Sequence, residues 1–514
     1  VLISGVRVYD RGGNIHRPPI RDVLISNDKI FSICAPDAST PEIVTVRQAV
    51  SQGRPDVIEI DGREKLLIPG LVNAHYHSYD VLCKGRFEDM PFDIWALHSQ
   101  PAYWGPRSRQ ELRLRTLLGA VECLQYGITT IQDMNTLVPQ DEATLDAILS
   151  AYAEVGIRVV FSIAARDLPQ LDIAPFLPDD MPDLVRALVS GAPGDAKEQL
   201  AFIEAQIARL SPLPERFSWA VSPSGPQRCS RELLEGLAAI AARHRLPVFT
   251  HAYETRAQLA RARSGYPAQH GSLVTLLAQT GLLSARATLA HGVYLAPREI
   301  DLLGEAGAGV VHNPVSNLKL KNGVAPLLDL RRAGMNISLG CDNCSCSDCQ
   351  NLFQVMKLFC LLAAGMSGEP TGIVAADALD AATAGGALAV GMAGQIGEIR
   401  QGMKADLVLI DLADVAYLPL NSAVRQLVYG ECGRGIHTVI VDGEVVVDRG
   451  RICSVDMRQL QEELTEAMDA VEKDYDTLVA RQAPAIPYLL RANSTLSHAD
   501  LGMQRFIGAQ TRKS

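Results

Sequence analysis

Four short stretches of this chain carry side chains that could share one metal ion: His75-Tyr76-His77, Thr250-His251, His291-Gly292 and Cys341-Asp342. His75 and His77 are two residues apart at the end of an apolar run. On a strand both side chains leave the same face, so one ion can take both. Imidazoles plus a carboxylate suit a divalent ion such as zinc, with iron as the second choice, and leave room for a water. The chemistry implied is hydrolytic: a metal-activated water attacking an electrophilic carbon.

Residues so far apart can meet only if a repeated scaffold presents them at one end. Between residues 67 and 340, apolar runs alternate with amphipathic stretches. The runs are Leu67–Ala74, Ile128–Asp133, Ile157–Ile163, Phe217–Val221, Val248–Thr250, Ala287–Ala290, Gly309–Val311 and Asn336–Gly340. Eight alternating units predict an α/β fold of the (β/α)₈ barrel type. Each histidine above, and Asp342, then falls at the C-terminal end of a strand, the face on which such barrels keep catalytic residues.

Both chain ends have a different texture. Short alternating runs such as Val6–Tyr9, Asp22–Ser26, Ala405–Ile410 and Thr438–Val447 read as strands, with Asp442-Gly443 as a hairpin turn. The division expected is a first part of a small β sandwich over 1–67, a barrel over 68–394, the second part of the sandwich over 395–452, and a helical extension over 453–514. A charged helix is expected near Met457–Gln482. The long connection Pro169–Pro214 is expected to be helical over Lys197–Leu210.

The 514 residues include 48 basic and 58 acidic side chains, a net charge of −10. That balance argues against nucleic acid or an anionic membrane as main partner. No apolar run is long enough to span a membrane. The first residues show neither a basic leader nor an apolar core, so a cytoplasmic protein with free thiols is the expectation. No H-E-x-x-H, P-loop or dinucleotide fingerprint occurs.

The run Ile68-Pro69-Gly70-Leu71-Val72-Asn73-Ala74-His75-Tyr76-His77 resembles the signature of the amidohydrolase superfamily. Over roughly residues 1–450 the likeness implies a barrel with a composite β domain. Binuclear members of that superfamily place a carboxylated lysine on strand 4. This chain has Phe217-Ser218-Trp219-Ala220-Val221-Ser222-Pro223 there, which implies the mononuclear branch. Thr250-His251-Ala252-Tyr253-Glu254 is similar to the His-x-x-Glu of deaminases. Val311-His312-Asn313-Pro314-Val315-Ser316-Asn317 and Met90–Trp95 are similar to segments of methylthioadenosine/S-adenosylhomocysteine deaminases, guanine deaminases and triazine hydrolases.

The resemblance implies one divalent metal on His75, His77, His251 and Asp342. Asp342 would also take the proton of the water. His291 would orient the water or stabilise charge on the attacked centre. Glu254 would be the general acid that protonates a ring nitrogen and then the leaving amine. The activity implied is deamination of an aminated heterocycle by a homo-oligomeric enzyme. The same scaffold could instead cleave an amide, urea, carbamate or aryl halide, and a non-catalytic scaffold is the remaining class. Trp95, Arg166 and Asn317 are candidate substrate contacts: Trp95 by stacking on a flat ring, Arg166 by meeting an anionic group, Asn317 by hydrogen bonding. Each has a purely structural counterpart: packing the loop, pairing with Asp133 or Asp167, and fixing the Pro314–Lys319 turn.

One departure stands out. Cys341, Cys344, Cys346 and Cys349 form C-x-x-C-x-C-x-x-C around Asp342. That spacing could bind zinc or an iron–sulfur cluster. The tight clustering and the lack of a separated second pair favour a plain loop of small thiols.

Overall fold

The apolar run at Lys65–His77 serves two domains. In the computed structural model, which describes residues 1–36, 40–54, 57–191 and 194–506, the run breaks at Gly70. Lys65–Pro69 pairs antiparallel with Leu407–Asp411 and parallel with Leu2–Val8. Leu71–His77 is the first barrel strand, β1, buried along its whole length. The expected strand Leu67–Ala74 therefore straddles a domain boundary. Gly70 makes the crossing possible, because a Cβ there would sit 2.1 Å from Thr129 Oγ1. Its N–H donates to the Asp406 carbonyl at 2.8 Å.

Both chain ends build one mixed β sheet of nine strands. Leu2–Val8, Ile20–Ser26, Lys29–Cys34, Glu59–Asp61 and Lys65–Pro69 come from the N-terminal side. Leu407–Asp411, Ile436–Val441, Glu444–Asp448 and Arg451–Ile452 come from the C-terminal side. The alternation in these runs puts Ile3, Val23, Leu67, Leu407 and Ile440 into one core.

The remaining barrel strands are β2 Ile128–Asn135, β3 Arg158–Ala165, β4 Phe217–Trp219 with Ser222–Pro223, β5 Val248–Ala252, β6 Ala287–His291, β7 Gly309–His312 and β8 Ile337–Leu339, which resumes as Asp342–Asn343. All pairings among them are parallel. The two arcs meet through a Val221–Val248 bridge on one side. On the other, Asp342 and Asn343 pair with Tyr76 and His77 of β1. Between the two pieces of β8 lies Gly340, where a Cβ would stand 2.4 Å from Asn313 Oδ1 and 2.8 Å from the His75 Cβ. That close pass carries Asp342 up to the β1 histidines.

The C-terminal extension lies over the catalytic end of the barrel. Helix α1 (Phe92–Ser99), from the loop after β1, packs with the expected charged helix α2 (Met457–Gln482) and with α3 (Ile486–His498). Phe92, Trp95, Leu171, Ile173, Leu478, Leu489 and Leu496 share one apolar cluster, separate from the main barrel core. The connection after β3 contributes helices Asp183–Ser190 and Ala196–Arg209. Among the described residues no helix is long and apolar enough to cross a membrane. All eleven cysteines are free.

Barrel and β domain are riveted by Arg158 at the start of β3. Its guanidinium, 2% exposed, donates to both oxygens of Asp406 at 2.8 and 2.9 Å and to Asp442 Oδ1 at 2.8 Å. Removing a buried cation strands its partners without solvation. Arg158→Ala should therefore lower stability by about 3–5 kcal/mol, read from urea unfolding with the metal-binding residues intact.

Candidate active site

Period-two alternation on β1 and the ends of β5, β6 and β8 bring His75, His77, His251, His291 and Asp342 together. His75 Nε2 lies 3.5 Å and His77 Nε2 3.4 Å from Asp342 Oδ1. His77 Nε2 and His251 Nε2 are 3.2 Å apart. His75, His77 and His251 form one group whose nitrogens lie within 4.8 Å of one another, and His75, His291 and Asp342 form a second that shares His75.

Hydrogen bonds behind the rings set their tautomers. His77 Nδ1 lies 2.6 Å from the Met134 carbonyl, and His251 Nδ1 lies 2.6 Å from the Ser224 carbonyl. A carbonyl can only accept, so each Nδ1 carries the hydrogen and each neutral ring presents a bare Nε2 lone pair. Those two lone pairs face each other at 3.2 Å with no hydrogen to share. Both nitrogens of the fully buried His75 and Nε2 of His291 lack any hydrogen-bond partner. Opposed lone pairs beside an acceptor carboxylate fit a cation and nothing else in the common repertoire of side-chain contacts.

The charge states agree with that fit. Burial pushes His75 down to about 4, and burial with the neighbouring His75, His77 and His291 holds His251 well below the usual imidazole range. Burial lowers His291 as well, against the pull of Asp342. Burial would raise Asp342, but the close approach of His75 and the other surrounding histidines holds it well below the usual carboxylate range. Burial thus favours neutral His75, His251 and His291 beside the Asp342 carboxylate, the ligand form a divalent ion needs.

Asp342 and His291 both have positive φ, 64° and 73°. Left-handed backbone costs a non-glycine residue about 1–3 kcal/mol and is held only where surrounding contacts dictate it. Here Ser316 Oγ donates to Asp342 Oδ2 at 2.6 Å, and His291 Nδ1 lies 2.8 Å from Asn317 Oδ1.

Glu254 faces the same space. It is 2% exposed, with Oε2 3.8 Å from His291 Nε2 and Oε1 accepting from Asn322 Nδ2 at 3.1 Å. Burial pushes its carboxyl well above the usual range; the Asp342 charge adds to this and Arg228 opposes it. Burial thus favours the protonated form of Glu254, which stands as an acid beside the ligand cluster.

The chamber above the cluster is lined by Phe92, Trp95, Gln100, Gln170, Arg228 and Asn343, among others. Trp95 is part of that lining, its Nε1 donating to Ser345 Oγ at 2.7 Å. The other two candidate contacts lie outside this lining. Asn317 stands behind His291 and orients it, away from the chamber lining. Arg166 borders an adjoining cleft with Gln199 and Phe202, which shares Thr136 and Ala164 with the chamber. Asp133 is taken by Ser78, Asn135 and Tyr152, and Asp167 accepts from the Ser230 N–H. Arg228, Gln100, Gln170, Asn343, Ser316 and Asn322 were not singled out from the sequence. Only Ser316 and Asn343 lie in segments with a motif, so only those two could have been found.

The cysteine-rich turn after Asp342 is packing. Cys341, Cys344 and Cys346 are buried, and burial pushes their thiols well above the usual range. Among the described residues no cysteine joins a metal-binding group. Asp80 accepts the N–H groups of Cys344 and Ser345, each at 3.1 Å, which pins the turn.

A strap from the C-terminal extension binds the loops of this face. Arg256, two residues past Glu254, donates to the carbonyls of Leu496, Ala499 and Met503 at 3.0, 2.6 and 3.2 Å. Arg505 donates to the Leu295 carbonyl, and its own carbonyl accepts from Val324 N–H.

The amidohydrolase family model matches residues 66–446. The chain belongs to the amidohydrolase family. It is 30% identical to a 5-methylthioadenosine/S-adenosylhomocysteine deaminase of Moorella thermoacetica, over 80% of this chain and 88% of that one. It is 31% identical to a 5'-deoxyadenosine deaminase of Methanothermobacter thermautotrophicus, over 91% and 98%. The crystal structure of an adenosine deaminase from Xanthomonas campestris with bound zinc has the same fold, with a TM-score of 0.75 at 24% identity over 92% and 98%. Family membership and the ligand cluster together make this a divalent-metal site.

Two measurements bear on this account. Asn317→Ala should lower kcat by about 10- to 100-fold, since His291 loses its orienting partner, with metal content by elemental analysis unchanged. Arg256→Ala should free the strap, read as proteolytic cleavage after residue 495 at protease levels that leave the parent intact.

Proposed function

We propose that this protein is a mononuclear, metal-dependent aminohydrolase that releases ammonia from an aminated heterocycle of the purine, pterin or triazine kind. The observation that carries the reading is Glu254, a buried carboxylic acid 3.8 Å from His291 and facing the ligand cluster. An amidine carbon in an aromatic ring resists attack until its ring nitrogen is protonated, and a neutral acid in this position supplies that proton. The relatives named as deaminases of adenosine-like compounds support the choice.

His75, His77, His251 and Asp342 would hold the ion, proposed as zinc because imidazole and carboxylate donors suit it, with iron second. Such an ion supplies one chemistry, lowering the pKa of a water to about 7. The absence of lysine on β4 supports a single ion. Asp342 Oδ2, held by Ser316, is the base that takes the proton of the attacking water. His291 Nε2, fixed by Asn317, stabilises charge at the attacked carbon. Glu254 gives its proton to the ring nitrogen. The proton held by Asp342 then passes to the amine, the C–N bond breaks and ammonia leaves, while the hydroxyl proton at the attacked carbon returns to Glu254 as the C=O bond forms. Asn322 keeps Glu254 aimed throughout.

Cytoplasmic location, a homo-oligomeric state and partners limited to small molecules belong to the same proposal, supported by family likeness and a net charge of −10. The test is ammonia release from zinc-loaded protein across aminated purines, pterins and triazines. Glu254→Gln should lose about 10²–10⁴-fold of that activity with its metal retained. Release of chloride or a larger amine, and never ammonia, would assign the scaffold to a different bond.

A further inference from the structure

Beside the metal chamber, between the loop after β1, the helix Arg109–Gln125 and α2, lies a cavity of about 20 Å³, room for one occupant the size of a water. Tyr79, Cys83, Trp104, Arg115 and Val471 are among its walls. Tyr79 also lines the chamber, where its ring centre lies 5.2 Å from that of His77. The two spaces therefore share a wall, while the metal-binding side chains border the chamber alone.

Arg115 borders this cavity from the buried side of its helix and is 5% exposed. A guanidinium carries five N–H donors. Among the described residues Arg115 forms no ion pair and no side-chain hydrogen bond, and its Nε is enclosed without an acceptor. Nη1 and Nη2 are the atoms left open to the cavity. The neighbouring acids are committed elsewhere. Arg107 Nε holds both oxygens of Glu111, at 2.7 and 2.8 Å, and its Nη1 holds Asp474 of α2 at 2.8 Å. Asp133 is taken by Ser78, Asn135 and Tyr152, and Asp80 by the N–H groups of Cys344 and Ser345. Glu111, Asp133 and Asp80 act on Arg115 only across a distance.

A buried cation without a countercharge is strongly destabilising. A water in the cavity offers it a lone pair but no charge, whereas a small anion offers both. Phosphate, sulfate and carboxylates are too large for the space. The Cys83 thiol is not the missing anion, since burial pushes it up to about 12. We propose that the cavity is a binding site for one monatomic monovalent anion, chloride in solution, held by the Arg115 Nη groups. The ion sits where barrel and extension meet. Val471 of α2 forms one wall, and Arg107, whose partner Asp474 belongs to α2, forms another. Its binding therefore neutralises Arg115 and helps to fasten the extension over the loop after β1. The site is independent of the aminohydrolase reading.

Crystals of the zinc-loaded protein soaked in sodium bromide test the site directly. Anomalous scattering should place a bromide in contact with an Arg115 Nη. Bromide at the zinc alone, a water in the cavity under bromide, or an empty cavity overturns the proposal. In solution, exchanging sodium gluconate for sodium chloride at fixed ionic strength should raise Tm by about 1–3 °C. Arg115→Met should abolish that rise. A rise of equal size in Arg115→Met assigns the chloride to the zinc or the surface and overturns the proposal. Bromide in the map with no chloride response of the unsubstituted protein means binding at crystal concentration only, and overturns it too. If Arg115→Met does not fold, the bromide map and the response of the unsubstituted protein decide together, and both must be positive.

Discussion

The structure depends on a confrontation of lone pairs. Two backbone carbonyls, of Met134 and Ser224, take the Nδ1 hydrogens of His77 and His251 and leave their Nε2 atoms facing each other at 3.2 Å. Without a cation this is an arrangement of acceptors against acceptors in a buried space. With one, the same geometry becomes a ligand set, and its cost becomes affinity. The rest of the barrel end follows: Asp342 must stay ionised, and a left-handed backbone must be tolerated to place it.

That constraint divides the neighbouring groups by charge. Close to the histidines the Asp342 carboxyl is pulled down, while Glu254, equally buried, is pushed up by burial and by the Asp342 charge. Two carboxyl groups, each 3.8 Å from His291 Nε2, are thus shifted in opposite directions, the pattern that suits a base and an acid in one site. Ser316, Asn317 and Asn322, all from the segment after β7, each hold one of these three groups. A single short segment therefore tunes base, histidine and acid together.

The C-terminal extension adds a second layer. It buries its apolar face against α1, whose Phe92 and Trp95 roof the chamber. It also ties down the loops after β5, β6 and β7 through Arg256 and Arg505. Loops at a barrel mouth are ordinarily the mobile part of the fold. Here their carbonyls and donors are satisfied by the tail, which rigidifies the acid and shapes what can approach it.

The barrel and the candidate ligands were legible from strand periodicity and residue types, and the acid only from its resemblance to a deaminase segment. His75 and His77 share a face through the two-residue repeat, and the strand ends follow from apolar runs bounded by turns. Loop contacts were not legible. Arg166 and Arg228 both follow barrel strands near the catalytic end, yet one borders an outer cleft and the other the chamber. Asn317 turned out to serve His291, and the cysteines around Asp342 turned out to be packing. The split of Lys65–His77 at Gly70 was hidden because two buried strands in series read as one apolar run. The sequence by itself determined which atoms could bind a metal and donate a proton. Tertiary structure decided which way they face and what covers them, because loop direction is set by packing between segments hundreds of residues apart.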